Sequence, residues 1–223
     1  MKRLLSIAVI ALMGAGAAVA QSTIVSSRSV SIISEKTPSN TQWIFRAGVN
    51  VMGADGEGSD RLTSKAGYDF AISFEKPISN FGLNWGMELG LTSRGFGFDT
   101  NSSKSSMSLM GHGIRFSPIT FGYGYNITDD FKIAAHLGGF ISVDYAASLK
   151  ATYNGESESI GISDMYDSVG WEYNRFDGGI ALGGGLWYKR FNLDVTWQRG
   201  FVSIIKDADA FASNVLIRLG YAF

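Results

Sequence analysis

The chain of 223 residues carries 20 acidic and 19 basic side chains, two histidines and no cysteine. The net charge of −1 provides no basic field for nucleic acid, and the lack of cysteine removes disulfides, thiolate metal sites and a lipidated cysteine. Twenty-eight glycines, 13% aromatics and only 3 prolines suit many β-strands that bend and pack closely, with rings left over for interfaces.

Lys2 and Arg3 precede an apolar run from Leu4 to about Ala18, and Ala18-Val19-Ala20 leads into Gln21. This reads as a secretory signal peptide over 1–20, cut after Ala20, because a run broken by Gly14 and Gly16 is short for an anchor. Residues 21–41, rich in serine and threonine with Pro38-Ser39-Asn40 as a breaker, read as a flexible periplasmic lead-in. Residues 42–223 read as one domain. No later stretch approaches the roughly 20 apolar residues of a membrane helix, so a membrane-spanning form must be a closed barrel.

From Gln42 to Met52, Trp43, Phe45, Ala47, Val49 and Val51 alternate with Arg46, Gly48 and Asn50. This is the period of two of a strand. Gly53 to Ser64 is a polar connection. Lys65 to Glu75 sets Tyr68, Phe70, Ile72 and Phe74 against Asp69, Ala71, Ser73 and Glu75, and Lys76 to Asn80 makes a tight turn. Phe81 to about Phe98 opposes Leu83, Trp85, Met87, Leu89 and Leu91 to Asn84, Glu88, Thr92 and Arg94. After a polar loop, Met107 to Tyr125 changes phase at Ser117-Pro118, where a β-bulge is expected because a barrel has no edge to hold a proline.

Asn126 to Asp130 turns the chain. Phe131 to Lys150 is the clearest alternation, with Ile133, Leu137, Ile141, Val143 and Tyr145 opposed to Lys132, His136, Ser142 and Asp144. Ala151 to Tyr173 reads as the longest loop, acidic and solvated. Asn174 to Tyr188, a Lys189-Arg190 turn, and Phe191 to about Phe201 with Asp194 on its polar side follow. A loop over Val202 to Ala212 leads to the closing strand, Ser213 to Phe223. There Val215, Ile217, Leu219, Tyr221 and Phe223 oppose Asn214, Leu216, Arg218, Gly220 and Ala222.

The connections alternate long and short between eight strands, as external loops and periplasmic turns do in outer-membrane barrels, and each apolar segment has about the 9–11 residues a tilted crossing needs. The fold class is therefore an eight-stranded antiparallel up-and-down transmembrane β-barrel. Trp43, Phe74, Tyr125, Phe131, Tyr188 and Phe191 fall near the short-turn ends as an aromatic girdle, and Leu219, Tyr221 and Phe223 form an assembly signal. A soluble ligand-binding barrel gives the same alternation with the faces reversed.

Aligned by their turn ends, the strands place Arg46, Asp69, Glu88, His136, Asp194 and Arg218 at similar height on the inner side. In so narrow a barrel these charges must pair, giving a plugged lumen. Neither His112 nor His136 has a nucleophile near it in sequence, and the glycine clusters at 122–124 and 183–185 sit inside strands rather than opening a helix. No catalytic residue, metal ligand or cofactor is expected. Arg199, outward near the far end of its strand, is a lipid-headgroup candidate.

Three stretches resemble the PorT-like outer-membrane β-barrel family of Bacteroidota. They are Phe45-Arg46-Ala47-Gly48-Val49-Asn50, the strand-turn-strand from Ile119 to Asp144 with Tyr125-Asn126 and Asp130-Phe131 around its turn, and Leu219-Gly220-Tyr221-Ala222-Phe223. The usual glutamate, apolar, proline run is replaced by Ile114-Arg115-Phe116-Ser117-Pro118. The resemblance implies a Gram-negative outer-membrane location. One member acts in protein secretion, and no residue here carries that role over. The sequence-level reading is a barrel with a structural, adhesive or envelope-assembly accessory role. A narrow channel is the alternative, and a lipid-modifying enzyme comes third. Partners are expected to be outer-membrane lipid and lipopolysaccharide, the barrel assembly machinery, and an envelope protein reached through the loops.

Overall fold

The computed structural model describes residues 41–56, 61–98, 105–154, 156–161, 163–164, 167, 170–206 and 208–223. The expected leader and the lead-in up to residue 40 lie outside the described residues. The strands in chain order are β1 (Gln42–Asp55), β2 (Leu62–Thr63), β3 (Lys65–Pro77), β4 (Leu83–Phe98), β5 (Ser105–Asn126), β6 (Phe131–Tyr153), β7 (Glu156–Gly161), β8 (Phe176–Tyr188), β9 (Phe191–Ser203) and β10 (Phe211–Ala222).

Eight of these close a ring. β1, β3, β4, β5, β6, β8, β9 and β10 each pair antiparallel with their chain neighbours, and β10 returns to β1 through Val49↔Ile217 and its flanking pairs. β2 adds to the far end of β4, and β7 folds back on β6. The start of β1, the end of β10 and the three short turns share one end of the barrel, here the turn end. The longer connections occupy the loop end. The first turn comes slightly later than the sequence suggests, because β3 stays in register through Pro77↔Asn84. Pro77 is the last residue of the ladder, where a missing N–H is tolerated. Gly82 then turns at φ 102, with its Cβ position 2.1 Å from the Gly124 carbonyl oxygen, so only glycine fits.

Burial fixes which face is which. Asp69, Arg115 and Arg218 are 0%, 1% and 3% exposed, whereas Leu89, Leu137 and Val195 on the opposite faces of their strands are 51%, 54% and 46% exposed. Apolar side chains coat the outside and charges fill the inside, the reverse of a soluble ligand-binding barrel.

The bulge expected at Ser117-Pro118 is present, with register shifts between Phe116 and Ile119 against β6 and between Gly86 and Glu88 against β4. A second shift, which the sequence reading missed, pairs His112 with Ala146 and Gly113 with Asp144, so Tyr145 is the extra residue. Beyond it the phase reverses, and Ala147 and Leu149 turn inward. The β3–β4 ladder begins at Asp69↔Thr92. Just above it the Ser93 hydroxyl accepts the Tyr68 N–H at 2.9 Å and donates to the Tyr68 carbonyl at 3.2 Å, while Asn50 donates to the Ser93 carbonyl at 2.5 Å. Side chains thus satisfy main-chain groups that the bilayer cannot.

Two expected loops are partly ordered structure. The stretch Ala151 to Tyr173 begins as a hairpin, with Tyr153↔Glu156 closing the two-residue connection Asn154-Gly155 and Asn154 at φ 50. Asn-Gly favours such a turn, and Ala151-Thr152-Tyr153 extends the strand into it. The stretch Val202 to Ala212 folds into the barrel mouth, burying Ile204, Ile205, Ala210 and Ala212.

The orientation has a direct test. Val195→Arg, on the outer face of β9, should destabilise the barrel in lipid vesicles by about 2–4 kcal/mol in equilibrium denaturant unfolding. Asp129→Arg, at an exposed position in the β5–β6 turn, should leave the midpoint unchanged.

Candidate functional site

Charged side chains meet in the lumen in two layers. In the layer nearer the turn end, Arg218 of β10 reaches Asp194 of β9 through Nε at 3.0 Å and Nη2 at 2.7 Å, and its Nη1 lies 2.8 Å from Glu88 and 3.3 Å from Asp69. Arg115 of β5 donates to Asp69 at 2.5 Å and to Glu88 at 2.7 Å. Arg46 of β1 donates to Glu88 at 3.1 Å, Glu75 at 2.9 Å and Ser73 at 2.5 Å. His136 Nε2 lies 3.0 Å from Thr196 Oγ1, and its Nδ1 is 3.7 Å from Asp194. All six residues expected from the strand alignment meet in this layer.

The alignment missed Arg115 and Glu75. Arg115 stands between outward Ile114 and Phe116, which is signal enough for an inward side chain, and Glu75 already lay on the inner face of its strand. With them, three guanidiniums, of Arg46, Arg115 and Arg218, face four carboxylates, of Asp69, Glu75, Glu88 and Asp194. The charges nearly cancel. A buried group losing its partner would be left uncompensated.

The second layer, toward the loop end, was not legible as a unit. Arg94 donates from Nε to Asp144 at 2.6 Å, places Nη1 3.5 Å from Asp177, and bonds the Asn174 carbonyl. The Tyr173 hydroxyl donates to Asp144, and the Arg94 guanidinium lies 5.4 Å from the Tyr173 ring. Burial, reinforced by Asp144, raises the Tyr173 hydroxyl above the usual phenol range, so it remains a donor. Gly111 makes the room: a Cβ there would lie 2.2 Å from the Tyr173 hydroxyl and 2.6 Å from Asp144. Above this clasp, Phe96, Leu109, Leu149 and Ile204 form an apolar cap with Tyr173 and Ile205.

Alongside the first layer lies a cavity of about 50 Å³, bordered by Ser117, Thr120 and His136, by Ala181 and Gln198 toward the loop end, and by Glu75 and Asn84 toward the turn end. Lys132 sits 4.4 Å from the Trp187 ring near this end, where Trp187 packs with Ile44 and Ala222. The Thr196, His136 and Asp194 side chains have the order of a nucleophile, base and acid. The Thr196 hydroxyl donates to Asp194 at 2.8 Å, the His136 to Asp194 separation exceeds a hydrogen bond, and the cavity holds only a few waters. Among the described residues no group of three or more His, Cys, Asp or Glu side chains is arranged to hold a metal ion.

The remaining sequence candidates lie on the outer wall. His112 points outward and stacks on Tyr68 at 5.6 Å, over Ser93. Trp43, Tyr125, Tyr188 and Phe191 are exposed near the turn end, with Phe74 and Phe131 half-buried beside them. Trp43 and Phe74 meet edge-on at 5.5 Å, and Phe74 meets Trp85 at 5.6 Å. Leu219, Tyr221 and Phe223 are exposed on β10 and just past it, Tyr221 meets Phe191 at 5.3 Å, and the Phe223 N–H bonds the Trp43 carbonyl. Arg199 is engaged by Asp55 and by the Phe211 ring.

A closed antiparallel barrel with an apolar outer wall, a charged lumen and short turns at one end defines an outer-membrane β-barrel protein. The family model described as outer membrane protein beta-barrel domain matches residues 20–206, and the chain belongs to that family. No curated protein matches. Among solved structures, the chain is similar to Ail, the attachment invasion locus protein of Yersinia pestis, at 17% identity over 82% of this chain and 99% of that one, with a TM-score of 0.40. Neisserial surface protein A is similar at 12% identity over 81% and 97%, with a TM-score of 0.41. Ail in a phospholipid bilayer nanodisc is similar at 17% identity over 82% and 100%, with a TM-score of 0.39.

Arg218→Met should cost about 3–5 kcal/mol of stability in vesicles, because it leaves buried Asp194 without a guanidinium and Asp69 with Arg115 alone. The double variant Arg218→Met/Glu88→Met should lose less than the two single changes added together. Denaturant titration of all three forms measures both effects.

Proposed function

We propose that the protein is a closed-lumen barrel of the outer membrane, of the PorT-like branch in Bacteroidota, with a structural, adhesive or envelope-assembly accessory role. The observation that carries this reading is the series of barriers across one narrow lumen: the Arg218 layer, the Arg94 clasp and the apolar cap. An ion crossing it must part charge-assisted hydrogen bonds twice and then enter an apolar plug. With the lumen filled, the surfaces left for a partner are the lipid-facing wall and the loop end. The expected partners are therefore outer-membrane lipid and lipopolysaccharide, the assembly machinery that inserts the barrel, and an envelope protein met through the loops.

The same reading assigns no catalytic role to His112 or His136. His112 faces outward against Tyr68, and His136 serves to hold Thr196. The rival is a narrow channel, favoured by the cavity beside Glu75 and His136. Purified protein in planar bilayers separates the two. No steady conductance steps are expected, and steady current in the unaltered protein that Glu88→Gln or Arg218→Met abolishes would overturn the closed-lumen reading.

A further inference from the structure

β7 pairs on a single side along its whole length, as does the two-residue β2, and its 6 residues make it the longer such edge among the described strands. It continues the wall beyond the barrel at the loop end, and Glu156, Ser157, Glu158 and Ser159 are all exposed. A Cβ added at Gly161 would meet open space. The hairpin geometry fixes which main-chain groups are free. In a two-residue connection the closing pair, here Tyr153↔Glu156, exchanges both hydrogen bonds, and such pairs alternate along an antiparallel ladder. Glu156, Glu158 and Ile160 therefore turn their N–H and C=O groups toward β6. Those of Ser157 and Ser159 point away, toward solvent, while the Gly161 carbonyl accepts the Asp164 N–H at 3.1 Å.

We propose that this edge takes up an extended segment of a partner protein by strand addition, and that the segment carries basic residues at alternating positions. The free Ser157 and Ser159 amides and carbonyls supply the ladder. Glu156 and Glu158 lie on one face of β7, two residues apart, so residues two apart on an added strand stand beside them, and cross-strand pairs of opposite charge are favourable. Charge also decides against the other occupants. Exposed Asp164 and Asp167 follow the strand, while Glu172 is already engaged by Lys206. A second copy pairing antiparallel through β7 with Ser157 opposite Ser159 would set Glu158 against its own counterpart, which is repulsive. The edge is thus guarded against itself and open to a basic strand. The proposal deepens the adhesive or accessory reading and rests on the loop end being a partner surface.

The test uses the full chain in phospholipid nanodiscs, titrated with a synthetic peptide of alternating lysine and valine and with its glutamate-valine counterpart. Saturable binding of the lysine peptide alone is expected. Ser159→Pro removes an outward N–H without touching the β6 ladder and should weaken binding about ten-fold. Glu156→Lys/Glu158→Lys should reverse the peptide preference. Unchanged heat-dependent gel mobility confirms that both variants keep the barrel. Equal affinity in Ser159→Pro would mean attachment by charge alone and overturn strand addition. Binding of the glutamate peptide, or of neither peptide, would overturn the proposal, as would disulfide-linked dimers from Ser157→Cys, which would assign the edge to a second copy. Conductance is a separate readout, so a failed closed-lumen reading and a failed edge proposal are told apart.

Discussion

The constraint on which the rest depends is the width of an eight-stranded ring. Its interior admits side chains and little else, so each charge placed there is withdrawn from water and must be neutralised on the spot. Arg218 meets this by standing among Asp69, Glu88 and Asp194, carried by three other strands. Arg115 and Arg46 extend the web to β5 and β1. The outer wall obeys the complementary rule. Lipid accepts no hydrogen bonds, and where the β3–β4 ladder stops, Ser93 and Asn50 take over its work.

Much of this architecture was visible in the sequence, because a strand reveals its face by simple alternation. The expected starts at Gln42, Lys65, Phe131 and Phe191 coincide with those of the strands, and the Ser117-Pro118 slip located a bulge. Alternation says which way a side chain points and little about its height. Height depends on strand tilt and stagger, so Arg94 was read as inward without Asp144 and Asp177 being recognised as its partners. The Tyr145 bulge was hidden for a related reason: small and apolar residues occupy both faces there, and a phase change leaves no contrast. The hairpin at Asn154-Gly155 did carry a local signal, outweighed by the acidic composition around it. The apolar residues of 202–212 were a signal too, since a solvated loop has no need of Ile204 and Ile205.

The two ends of the lumen differ in kind. Near the turn end the filling is polar, with Glu75, His136 and Asn84 around a cavity the size of a few waters. At the loop end it is apolar, with Phe96, Leu109, Leu149 and Ile204 packed as in the core of a soluble domain. Such packing sets the mouth in place and provides a firm base for β6 and β7 beyond it. A partner surface built on a hairpin benefits from that base, because less order has to be imposed on binding.

The position of Arg218 also bears on how the molecule comes into being. It lies on the last strand of the ring in chain order, yet two of its acceptors, Asp69 and Glu88, belong to β3 and β4 among the first. Until β10 meets β1, those carboxylates lack this guanidinium, and the open sheet has both an unpaired edge and an unbalanced interior. Sealing the seam and balancing the charge are one event. A half-closed ring is therefore no resting place, and folding is expected to run to completion or not at all.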